Sequence, residues 1–250
     1  MASVALQLYT LRDFLKTEND IESTLEKVAQ IGYKAVEVAG LGPIESQKLR
    51  SILDKNGLKC ISMHIGCNDL ENDIEAVFAK MDILGIKVAA IGALPKEGRS
   101  AEGYALYIPK LIAWADMFKA RGYRLAYHNH RFEFEKYNGV LAMDLLANKV
   151  PNLYFELDLY WVTAGGGDPV AWIEKFQGRI NEIHFKDCTV REDVAIMAEV
   201  GEGNLNWPAI INTCKKTGIE WCVVEQDRCE RSPIDCVATS FANLKKMGLC

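Results

Sequence analysis

Residues 153–187 read LYFELDLYWVTAGGGDPVAWIEKFQGRINEIHFKD and carry one complete strand–helix–strand unit. The runs 153–158 and 181–185 are short, apolar and rich in β-formers. Asp168 followed by Pro169 marks a helix start, with the aspartate as N-cap and the proline at the first helical position. The preceding Gly165-Gly166-Gly167 run reads as the turn into that helix, with a phosphate cradle as the other reading.

Outward from this unit the same alternation covers the chain. Strand-like runs occur at 4–9, 35–38, 59–64, 87–91, 124–130, 153–158, 181–185 and 221–225. Between them lie amphipathic stripes such as Ile21, Leu25, Val28, Ala29 and Ile74, Val77, Phe78, Met81. Glycine precedes five of the strands (Gly32, Gly57, Gly85, Gly122 and Gly218), the place where a helix ends in positive φ. Repeated βα units imply a parallel sheet. A doubly wound open sheet rarely needs eight such units, and QLYTLRDFL after the first strand has no GxGxxG. The expected fold is therefore α/β, a (β/α)8 TIM barrel as one domain over 1–250, with catalytic residues at the C-terminal strand ends.

Composition narrows the class. The 250 residues carry a formal net charge of −5, with 49% hydrophobic and 25% charged residues, ordinary globular values. The acidic balance argues against nucleic acid and anionic membrane as partners. No apolar run approaches the roughly 18 residues of a membrane span, and the first nine residues lack a secretory pattern. The eight cysteines form no CxxC pair, so reduced thiols in a cytoplasmic protein are expected.

All four histidines fall at or near strand ends on the expected catalytic rim: His64 on the third strand, His128 and His130 on the fifth, His184 on the seventh. Glu37, Glu133, Asp158 and Glu225 converge there too. Carboxylates and imidazoles gathered in one cavity repel unless a cation offsets them, which points to a divalent metal: Mn²⁺, Co²⁺, Fe²⁺, Mg²⁺ or Zn²⁺. Lys186 follows His184 by two and shares its face, where it could hold an enolate oxygen or a rim carboxylate. Gln7 and Tyr9 share a face of the first strand and are expected to line the pocket, with Glu37, His64, Trp161 and Glu202 as further substrate contacts.

The segments LQLYTLRD, GYKAVEV, YHNHRFEF, FELDLYWVTAGGGDP, RINEIHFKD, GEGNLNWPAI and WCVVEQD, in this order and spacing, resemble the xylose-isomerase-like TIM-barrel superfamily. The resemblance is to its sugar phosphate isomerase/epimerase group, which includes inosose dehydratases and 3-keto-sugar-processing enzymes. It implies one divalent metal ion, Mn²⁺ first, held by Asp158, His184 and Glu225 with a fourth ligand from strand five. Relatives usually have Glu-Asn-His where this chain reads His128-Asn129-His130, with Glu133 three residues on. Glu133 is the expected ligand, because a second carboxylate beside Asp158 better neutralises a dication, and His128 is the alternative.

The implied activity is isomerisation or epimerisation of a sugar, sugar derivative or cyclitol, by proton transfer next to a metal-bound carbonyl through an enediolate. Its catalytic groups would be Glu133, Glu225, His128, His130 and Lys186. A histidine in the strand-five place also suits a dehydratase or lyase of a keto-sugar, keto-glycoside or inosose. The DNA-repair nucleases sharing this barrel use three zinc ions and more histidines than four, so a small-molecule sugar is the expected partner. Relatives are often dimers or tetramers, which leaves room for a homo-oligomer.

Overall fold

The structure is a computed structural model describing residues 2–249. The eight strands form where the repeats place them: β1 (Ser3–Gln7), β2 (Ala35–Val38), β3 (Lys59–Ile65), β4 (Val88–Ile91), β5 (Arg124–His128), β6 (Tyr154–Asp158), β7 (Ile180–Phe185) and β8 (Trp221–Val224). All pair in parallel, and Val4 opposite Cys222 closes β8 onto β1, leaving no free edge in the barrel. Around it run α1 (Glu18–Ile31), α2 (Ser46–Lys55), α3 (Cys67–Leu84), α4 (Ala101–Ala120), α5 (Ala142–Lys149), α6 (Leu159–Ala164), α7 (Pro169–Lys175), α8 (Trp207–Thr217) and α9 (Pro233–Lys246). Two helices follow β6, and an antiparallel ribbon (Asp187–Arg191 with Val194–Ala198) rises after β7.

The local signals act as their chemistry requires. Thr17 and Asp20 close a capping box at the start of α1, and Ile21, Leu25 and Val28 bury its stripe. The five glycines before strands all take φ between 63° and 123°, a region that a Cβ disfavours. Asp168 caps α7 by accepting the Ala171 N–H at 2.8 Å. The glycine run before it is pressed on aromatic rings. A Cβ at Gly165 would come within 2.4 Å of Phe134, and one at Gly167 within 2.8 Å of Trp172, so those glycines serve packing.

Two strand ends differ from the sequence expectation. β1 stops at Gln7, because Leu8–Phe14 winds into a 3-10 turn whose second N–H, from Tyr9, is accepted by the Gln7 side chain at 3.2 Å. β5 stops at His128, because the Asn129 side-chain Oδ1 accepts the Asp158 N–H at 3.0 Å and ties that residue to the end of β6.

The main core lies between strands and helices, while the barrel interior has two levels. Ala5, Ala35, Ile61 and Val223 form a small apolar plug. Gln7, Glu37 and Glu225 follow by two residues on β1, β2 and the end of β8, and form part of a polar layer above it. Register shifts opposite β3 and β7 turn Ser62 and His64, then Glu182, His184 and Lys186, into this layer. None of the seven described cysteines forms a disulfide, and Cys250 lies outside the described residues. No helix among the described residues is long and apolar enough to cross a membrane.

Candidate active site

The strand ends bring His128 (β5), Asp158 (β6), His184 (β7) and Glu225 (after β8) together, with one donor atom from each within 4.8 Å of the others. All four are buried. His128 is oriented from behind, its Nδ1 lying 3.2 Å from the Gly92 carbonyl oxygen, and its Nε2 is 3.4 Å from Asp158 Oδ2. His184 Nε2 is 2.8 Å from Glu37 Oε2 and its Nδ1 is 2.9 Å from Glu225 Oε2. Burial opposes its charge, but Glu156, Glu225 and Glu37 outweigh that and hold the ring as an imidazolium. A cation would displace the Nδ1 proton while Nε2–H still anchors on Glu37.

Two imidazoles and two carboxylates, with both rings held from behind, fit a divalent ion of the Mn, Fe, Co or Zn type. Part of the negative charge is offset internally. Lys186 Nζ, fully buried, sits 2.7 Å from Asp158 Oδ2, 2.6 Å from Glu225 Oε2 and 2.6 Å from Asp227 Oδ2. Against the cost of burial, Lys186 and His128 lower the Asp158 carboxyl, and Lys186 and His184 hold Glu225 well below the ordinary carboxylate range. Lys186 pairs with these three carboxylates, not with Asp187.

Glu133 is not in the cluster. Its Oε1 accepts the Tyr127 hydroxyl at 2.6 Å and its Oε2 the His130 N–H at 2.7 Å, in a pocket with no solvent exposure. The strand-five residue in the cluster is His128, which ends β5, whereas Glu133 lies in the turn beyond it. Burial pushes the Glu133 carboxyl up to about 7, against the pull of those two hydrogen bonds. A carboxyl titrating at about 7 when folded and near 4.5 when unfolded favours the folded state at low pH and loses that contribution as pH rises between the two values. Urea melts should thus show Glu133→Gln gaining about 3 kcal/mol on the parent protein between pH 4.5 and 7.5. A pH-independent difference would contradict this burial.

Two further candidates are not brought to the cluster. Tyr9 is exposed on the 3-10 turn beneath the Arg12 guanidinium, because β1 has already ended and strand alternation no longer applies. Glu202 is exposed and paired with Arg231 at 2.5 Å, with no cluster residue among its partners. Gln7, Glu37 and His64 do reach the barrel interior. Glu37 and His64 meet Glu156 and His184 there, in a second group with one donor atom from each within 4.8 Å of the others.

His130 and Trp161 lie beside the first cluster. The His130 ring packs edge-on against His128 at 4.8 Å and lies 5.4 Å from Trp161, whose own ring is 5.6 Å from Lys186 Nζ. Burial, then His128 and Lys186, lower its pKa to about 3, so the ring is neutral at ordinary pH. Its Nδ1 and the Trp161 Nε1 are buried with no hydrogen-bond partner.

Sequence reading missed Glu156, Asp187 and Asp227. Glu156 precedes Asp158 by two and Glu182 precedes His184 by two, so polar residues at period two on otherwise apolar strands were the available signal. Asp187 accepts the N–H groups of Cys188, Gly201, Gly203 and Leu205 and the Trp207 indole N–H, over 2.6–3.2 Å. This pins the GEGNLNW loop beside Lys186.

Comparison with known proteins agrees with this architecture. The rhizopine catabolism protein MocC of Rhizobium meliloti is 26% identical over 271 aligned residues, covering 92% of this chain and 82% of that protein. An inosose dehydratase of Lacticaseibacillus casei is 22% identical, covering 88% of this chain and 87% of its own length. A crystal structure of a sugar phosphate isomerase/epimerase from Parabacteroides distasonis superposes with a TM-score of 0.81 at 24% identity, covering 98% of each chain. The model of the xylose isomerase-like TIM barrel family matches residues 25–247, and the chain belongs to that family.

Proposed function

We propose that the protein takes a keto-sugar or keto-cyclitol at the C-terminal rim, removes the proton from the carbon beside the carbonyl, and expels a hydroxyl from the next carbon as water. The observation that carries this reading is the pairing of groups at the site. Epimerisation exchanges a proton between two bases on opposite faces of one carbon. Here the strand-five member of the cluster is the imidazole of His128, and the carboxylate expected as the second base, Glu133, is held by Tyr127 and His130.

What remains for proton transfer is His130, a neutral ring with an unpartnered Nδ1. It accepts the proton as the C–H bond breaks and the C=C bond forms, then returns it to the departing hydroxyl. The Trp161 Nε1–H offers a donor to a substrate oxygen, and its indole face an apolar wall. Lys186 keeps Asp158 and Glu225 ionised. A divalent ion held by His128, Asp158, His184 and Glu225, for which Mn²⁺ is our choice, would supply a Lewis acid for the carbonyl oxygen. The extended matches to inosose dehydratases support the same reading.

Incubating Mn²⁺-loaded protein with ketoses and keto-cyclitols in D₂O tests it. An enone should accumulate, and His130→Asn should slow its formation about 10²–10⁴-fold. Deuterium entering an isomeric or epimeric sugar without loss of water would instead establish an isomerase or epimerase.

A further inference from the structure

The interior group of Glu37, His64 and Glu156 has no role in the elimination proposed above. Glu37 and Glu156 are fully buried, and the side chain of His64 is 18% exposed. His64 Nε2 lies 2.6 Å from Glu156 Oε2 and 3.5 Å from Glu37 Oε1. That Glu37 oxygen has no hydrogen-bond partner although its other oxygen anchors His184. A buried carboxylate oxygen facing an imidazole and a second carboxylate, with no donor of its own, has the surroundings of a cation ligand.

We propose that Glu37, His64 and Glu156 form a second divalent-cation site beside the upper cluster of His128, Asp158, His184 and Glu225, upper because Asp158 follows Glu156 by two on β6, and linked to it through the His184 ring. Two carboxylates with an imidazole select a transition-metal dication such as Mn²⁺ over Mg²⁺ or Ca²⁺, which prefer all-oxygen shells. Three protein ligands leave coordination positions for water. His184 contributes orientation only: its Nδ1 belongs to the upper cluster, so its Nε2 keeps a proton and donates to Glu37. On its solvent side His64 also walls a cavity of about 420 Å³ with Val38, Gly40 and Leu49. The inference concerns metal content and stands apart from the choice of sugar reaction.

Equilibrium dialysis of the full chain against Mn²⁺, followed by metal counting and electron paramagnetic resonance, decides it. Two ions per chain are expected, with the broadened signal of a spin-coupled pair. Glu156→Gln, and separately His64→Asn, should bind one ion with an isolated six-line signal. One ion in the parent protein overturns the second site and leaves the upper cluster standing, whereas none sinks both. Two uncoupled ions that survive both substitutions would mark adventitious surface binding and also overturn it. Should either variant fail to fold, judged by its melting curve, the other variant and the parent's count and coupling still decide.

Discussion

Replacing Lys186 with methionine should destabilise the metal-free protein by about 3–5 kcal/mol, the usual consequence of removing one partner from a buried charged network. Its ammonium stands against Asp158, Glu225 and Asp227, with Nζ within 2.6–2.7 Å of each. Without it the buried carboxylates of Asp158 and Glu225 and the half-buried one of Asp227 share one small volume, with only imidazoles nearby. Scanning calorimetry should show a melting temperature lower by roughly 6–20 °C, given 2–4 °C per kcal/mol in a domain of this size.

The sign with pH follows from the same groups. Lys186 holds Asp158 and Glu225 below their ordinary pKa range, so the stability it lends is present above that range and fades as those carboxylates protonate. The gap between Lys186→Met and the parent should be widest at neutral pH and narrow on acidification. Mn²⁺ should raise the variant's melting temperature more than the parent's, because the ion then replaces the missing charge. A variant as stable as the parent without metal would refute the neutralising role of this lysine.

The second large effect is expected at Asp187. Its carboxylate accepts four backbone N–H groups and the Trp207 indole, and Gly203 approaches so closely that a Cβ there would lie 2.3 Å from Asp187 Oδ1. Asp187→Ala leaves all five donors without an acceptor, at about 1–3 kcal/mol for each that stays dry. The loop should open to water before that full cost is reached, so a net loss of about 3–5 kcal/mol is expected. Hydrogen exchange should locate it: amides 201, 203 and 205 should lose protection, while the β1 and β2 amides keep theirs. Unchanged protection in the loop would show that Asp187 does not hold it.

Much of this could be read from the chain because it is local. Strand alternation, amphipathic stripes and the glycine at each helix end arise from neighbours in sequence, and they were enough to assemble the barrel and to place His128, His130, Asp158, His184 and Glu225 near one rim. The errors came where a strand ended. Tyr9 was assigned to the face of Gln7, but the 3-10 turn begins one residue too soon for alternation to carry it there.

The sequence by itself therefore determined the barrel and the rim where its histidines gather, since both rest on a repeat that each segment carries alone, and its motifs pointed to the family. Only the tertiary structure placed His128 in the cluster and Glu133 outside it, because Tyr127 and His130 capture that carboxylate. It also decided that Lys186 serves three carboxylates from β6 and the β8 loop, and that Glu37, His64 and Glu156 meet inside the barrel. Those contacts join residues up to 119 positions apart, from Glu37 to Glu156, and no local pattern in the chain encodes them.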